Sequence, residues 1–152
     1  MKKLIIAGFA IAMCLAVFSS NAMSAEKAAE FGARLGFINC SGCDGSLLIG
    51  ADYFIPVAEK DELDVRLTFA SVDVFDIWSL SGNYIYNLPR EAGASGSWYA
   101  GAGLGVMRFS SKTKIGGNLM GGYKFENNIS AEASYTRVDA ENFWGISLGY
   151  RF

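Results

Sequence analysis

The side chains with chemistry to offer are a pair of cysteines and a handful of charges set among apolar residues. Cys40-Ser-Gly-Cys43 has CxxC spacing, but two thiolates supply only half of a zinc site. The chain has no His and its one other cysteine, Cys14, lies far upstream, so the set is not completed. A thioredoxin-type redox pair needs a helix N-terminus within a βαβ unit, and nothing around Cys40 reads as one. The charges are Arg34, Asp52, Asp64, Arg66, Lys124, Glu132 and Arg151, each flanked by apolar or very small residues. Carboxylates among arginines can move protons or line a polar path. Enclosed in a protein they must at least pair, because an isolated buried ion costs several kcal/mol.

What the composition withholds is equally informative. Without His there is no Ser–His or Cys–His activation of a nucleophile, no usual neutral-pH general base, and no imidazole for a metal. Gly101-x-Gly103-x-Gly105 lacks the third glycine of a dinucleotide fingerprint. A formal charge of −2 gives no electrostatic case for nucleic acid. No catalytic residue, metal ligand or cofactor site is therefore assigned, and the chain is read as no enzyme.

The elements that must position these residues begin after a leader. Lys2 and Lys3 precede an uncharged run from Leu4 to Phe18, and the small or polar residues Ser19 to Ala25 follow. That order is a cleavable signal peptide over 1–25, and its apolar run is too short to span a bilayer as a helix. Met13 is too large for a lipid-attachment box before Cys14. Export to an oxidising compartment makes a loop disulfide between Cys40 and Cys43 the expected state.

Removing residues 1–25 from 152 leaves 127, enough for one domain over 26–152. Helical periodicity is hard to find there; apolar residues alternate instead with polar or tiny ones. At the C-terminus Trp144, Ile146, Leu148, Tyr150 and Phe152 alternate with Gly145, Ser147, Gly149 and Arg151. Phe31, Ala33, Leu35 and Phe37 oppose Gly32, Arg34 and Gly36, and six further stretches show the same split. Leu48 and Phe54 break the pattern. Eight strands at about 9–11 residues each leave connections of about 5–7. Those joining strand pairs fall near Asn39–Ser46, Asp73–Asp76, Ser110–Lys114 and Asp139–Asn142. At the other end lie Pro56–Glu62 and Pro89–Ser97.

Alternation alone allows two closures: a soluble lipocalin-like carrier with the apolar face inward, or a membrane barrel with it outward. Gly101, Gly103, Gly105, Gly116 and Gly122 suit a crowded interior better than a bare surface. Tyr53 and Phe54, Tyr84 and Tyr86, Tyr123 and Phe125, and Tyr150 and Phe152 end alternate strands, as an interfacial aromatic girdle would. The expectation is an all-β, eight-stranded, antiparallel up-and-down transmembrane barrel. Its interior polar network would contain Arg34, Asp52, Arg66, Lys124, Glu132 and Arg151, with Asp52 the one carboxylate shared by Arg34 and Arg66.

The segments Trp98–Gly105 (WYAGAGLG), Leu119–Phe125 (LMGGYKF) and Ile146–Phe152 (ISLGYRF) resemble the small OmpA/OmpX-type, porin-like barrels of Gram-negative outer membranes. The resemblance implies an outer-membrane location among lipid and lipopolysaccharide. It also implies a Phe152 and Tyr150 signal for the barrel-assembly machinery. The expected protein is a monomeric, non-enzymatic barrel with an envelope or surface-interaction role. The alternatives are a lipid A-modifying barrel enzyme, a narrow small-solute pore, or the soluble periplasmic carrier.

Overall fold

The computed structural model describes residues 29–40, 44–72, 75–109 and 112–152, so the expected signal peptide and Cys43 lie outside the described residues. Eight strands follow in chain order: β1 (Glu30–Cys40), β2 (Ser46–Pro56), β3 (Asp61–Val72), β4 (Phe75–Asn87), β5 (Gly96–Phe109), β6 (Lys112–Phe125), β7 (Ile129–Val138) and β8 (Glu141–Arg151). Each pairs antiparallel with the next, and β8 returns to β1 to close the barrel. Closure leaves no strand edge unpaired, which a structure immersed in lipid requires.

The strands are longer than the alternating apolar runs indicated. β5 and β6 have 14 residues each. Lys112 and Lys114 are therefore ladder residues of β6 rather than a connection, and Glu141 and Asn142 belong to β8. The reason is that a ladder is held by backbone hydrogen bonds, and these continue past the apolar belt where side chains reach water. The connections shrink accordingly, to Asp139–Ala140 between β7 and β8 and to 57–60 between β2 and β3. The longest among the described residues, 88–95, lies at the end where β1 begins and β8 finishes, the terminal end. Asp139 and Asn128 make their tight turns at φ 59 and 63, a left-handed conformation that short polar side chains tolerate.

The faces segregate as the alternation requires. Leu35, Phe37, Ile49, Leu104, Ile115, Leu119, Trp144, Ile146 and Leu148 all point outward and are exposed, Leu104 at 69%. An exterior of this kind is stable only against hydrocarbon, so the soluble-carrier alternative, which needs the apolar face inside, does not hold. Phe54 corrects the girdle. Because successive strand residues face opposite sides, it cannot join Tyr53 outside; it is buried within. The remaining aromatics do cluster at the terminal end, with ring centroids 4.9 Å apart for Tyr123 and Phe125 and 5.3 Å for Tyr150 and Phe152.

Inside, two apolar clusters cross the lumen. One, at the end with the β1–β2 and β7–β8 hairpins, contains Ile38, Cys40, Ala70, Ile77, Met107, Val138 and Phe143. The other, towards the termini, contains Phe54, Ile85, Tyr99 and Met120. The inward glycines make room for them. A Cβ on Gly103 would lie 2.2 Å from Asn83 Oδ1, and one on Gly122 2.6 Å from the Tyr99 ring. Outward Gly82, by contrast, meets nothing within 4 Å.

Candidate functional site

Strand parity sends Arg34, Asp52, Asp64, Arg66 and Glu132 into the lumen, where all five are buried. Asp52 and Arg66 are direct register partners on β2 and β3. Asp52 accepts from Arg66 Nε at 2.9 Å and from Arg34 Nε at 3.0 Å. Asp52 is not their one shared carboxylate, as the sequence suggested. Glu132, on β7, crosses the lumen and accepts from Arg34 Nη1 at 2.8 Å and Arg66 Nη1 at 2.7 Å. Arg66 Nη2 adds Asp64 at 2.8 Å, and Tyr99 donates its hydroxyl to Glu132 at 2.9 Å. Arg34 Nη1 also donates to the Ser147 hydroxyl on β8 at 2.7 Å. Two guanidinium forks thus hold three carboxylates, a formal charge of −1 with all five ionised. Charge-assisted bonds of this length are the strong kind, and they offset the cost of burying these groups, while Asp64 Oδ1 alone of the carboxylate oxygens in the cluster has no hydrogen-bond partner among the described residues.

Lys124 and Arg151 are not in this cluster. They form a second one at the terminal rim around Glu62, which alternation alone did not single out. Lys124 Nζ lies 2.9 Å from Glu62 Oε2 and Arg151 Nη2 lies 2.6 Å from it. Arg151 also reaches Glu30 at 3.1 Å and lies over the Phe54 ring, 3.6 Å from its centroid. Asn87 accepts from Lys124 at 2.6 Å. The six predicted network residues therefore divide between two heights, separated by the apolar layer of Phe54, Ile85, Tyr99 and Met120.

Between the central cluster and the hairpin-end apolar cluster lies a cavity of about 50 Å³. Its polar lining includes Thr68, Ser79, Ser81, Asn118, Ser134 and Thr136, and it has room for a few waters. A relay of amides leads towards it: Asn83 Nδ2 donates to Asp64 at 3.1 Å, and Asn118 Nδ2 donates to Asn83 Oδ1 at 2.7 Å. Among the described residues no group of three or more acidic, Cys or His side chains is arranged to hold a metal. Cys40 ends β1 inside the barrel and is disulfide-bonded. It is a ladder residue, not part of the connection in which the sequence placed it. Tyr150 and Phe152 lie outward at the terminal rim, where Phe152 N donates to Phe31 O at 2.9 Å.

This geometry can be set beside known proteins. No family model matches the chain, and no curated protein matches it by sequence. Among solved structures it is similar to Neisserial surface protein A, with 19% identity and a TM-score of 0.60 over 82% of this chain and 98% of that one. It is similar also to the N-terminal β-barrel domain of Pseudomonas aeruginosa OprF, with 18% identity and a TM-score of 0.59 over 81% and 97%. The outer-membrane enzyme PagL gives 16% and 0.56 over 82% and 99%. At such identities the likeness is one of fold, and that fold serves a surface protein and an enzyme alike. By closure, strand number and apolar exterior, the chain has the fold of the small eight-stranded outer-membrane β-barrels.

Proposed function

We propose that this chain is a non-enzymatic integral outer-membrane barrel, whose role is structural or one of surface contact and whose interior serves stability. The observation that carries the reading is how the interior charges are used. Arg34, Asp52, Arg66 and Glu132 are buried and bound to one another, so neither carboxylate of this group faces solvent or lipid for acid–base work. The chain also has no His to act as a neutral-pH base. A lipid A-modifying activity would need a reactive group at the lipid or water face. A solute pore would need an open lumen, but the apolar clusters close it above and below the charges.

Outer-membrane lipid, lipopolysaccharide included, is on this reading the medium around the apolar belt. The outward rim aromatics Tyr150 and Phe152 are the signal read by the barrel-assembly machinery. A closed ladder with no free edge supports a monomer. Detergent extraction tests the reading: the protein should stay with membranes through an alkaline wash and need detergent for release. Recovery in the aqueous fraction refutes it. So would acyl loss from lipopolysaccharide incubated with the purified protein, or steady ion conductance across a planar bilayer.

A further inference from the structure

The lipid-facing surface is not uniform. Gly121 on β6 and Ala133 on β7 are register partners, and both face outward. Together they floor a surface depression of about 560 Å³, within the roughly 300–1,000 Å³ of ligand pockets. Tyr135 and Trp144 wall it, their ring centroids 4.5 Å apart.

The end of the depression nearest the hairpins is polar. Asn39 is an exposed amide in register with Trp144, and the Tyr135 hydroxyl donates to Asn142 at 2.7 Å. Outward positions on β7 continue from Ala133 and Tyr135 to Arg137, which is exposed and in register with Asn142. Arg137 has no carboxylate partner among the described residues. Its Nε reaches only the Asp139 backbone carbonyl, at 3.5 Å, while the Asp139 carboxylate is taken by Lys114. A cation without a carboxylate partner among the described residues therefore stands one outward position beyond Tyr135, past the hairpin end of the apolar trough.

We propose that this trough holds one acyl chain of a phosphate-bearing anionic lipid, with Arg137 against the phosphate and Asn39 and Asn142 beside the headgroup. The inference rests on the membrane reading above and adds a preferred lipid to it. Charge complementarity favours this occupant, since a cation near the surface attracts anionic headgroups. A second copy of the chain is a poorer fit, because Tyr135 and Trp144 stand proud of the floor and would hold two barrels apart.

The test uses tryptophan quenching by lipids brominated on their acyl chains. Trp78→Phe and Trp98→Phe in the full chain leave Trp144 as reporter among its 3 tryptophans. The protein is folded into phosphatidylcholine vesicles containing either brominated phosphatidylglycerol or brominated phosphatidylcholine. Phosphatidylglycerol should reach half-quenching at about fivefold lower mole fraction, equivalent to ~1 kcal/mol. Arg137→Gln should abolish that preference, and Ala133→Leu, which fills the trough, should weaken quenching by both lipids. Equal quenching by the two lipids, or a preference that survives Arg137→Gln, overturns the site while leaving the barrel intact. Protection of Trp144 from both lipids in a cross-linkable dimer overturns it in favour of a second copy. Protein left outside the vesicles overturns the membrane reading itself.

Discussion

Arg66 is where the interior charges converge, so its removal is the sharpest test of how the lumen is stabilised. Its guanidinium touches Asp52, Asp64 and Glu132 at 2.9, 2.8 and 2.7 Å. Arg66→Met keeps comparable length but leaves Arg34 alone against three carboxylates, moving the formal charge of the cluster from −1 to −2. Asp64, fully buried, then keeps only the Asn83 amide. Breaking a buried pair in this way costs about 3–5 kcal/mol, the upper part of which the nearby cavity's room for water should offset. Asp52→Asn is the contrasting change. It brings the cluster to formal neutrality, and Glu132 still joins both arginines. Its cost is the mismatch of one amide against an arginine N–H, about 1–3 kcal/mol. Adding Asp64→Asn to Arg66→Met should recover ~1 kcal/mol or more, since it removes the carboxylate left with least support. Urea titration in detergent micelles or vesicles, followed by tryptophan fluorescence, reads all of these. An Arg66→Met barrel within ~1 kcal/mol of the parent, or one more stable than Asp52→Asn, would show that the ion pairs do not govern interior stability.

Leu104→Arg should cost about 2–4 kcal/mol in vesicles, because it puts a cation on the lipid face far from either rim; equal stability would mean the faces are inverted. Gly103→Ala should cost about 1–3 kcal/mol, as its Cβ would lie 2.3 Å from the Gly82 carbonyl. Gly82→Ala, with open space around it, should be neutral or stabilising by ~0.5 kcal/mol in the same urea titration. Intact-mass measurement of the membrane-fraction protein should place its first residue between Met23 and Glu26, and a mass that retains Met1 to Ala22 refutes the signal peptide.

Much of the architecture was legible in the residues themselves. A strand reverses its side chains at every step, so the alternation from Trp144 to Phe152 names both faces without reference to any partner. The same parity puts Arg34, Asp52, Arg66 and Glu132 on one face, and the glycines between Gly101 and Gly122 mark that face as the crowded interior. Adjacent pairing is nearly as local: Asp52 meets Arg66 because one short connection sets the β2–β3 register. Parity is silent on height and on what lies across the lumen. Those depend on strand stagger and closure, which arise only when β8 pairs with β1. Hence the second shared carboxylate, Glu132, could not be found from local spacing, nor could the division that sends Lys124 and Arg151 to Glu62 at the rim. Strand ends were misjudged for a related reason, since backbone pairing continues through Lys112 and Lys114 where the apolar signal has already stopped. The sequence by itself decided which residues face lipid and which face each other; tertiary closure decided who their partners are, because partners across a barrel are neighbours only once the barrel exists.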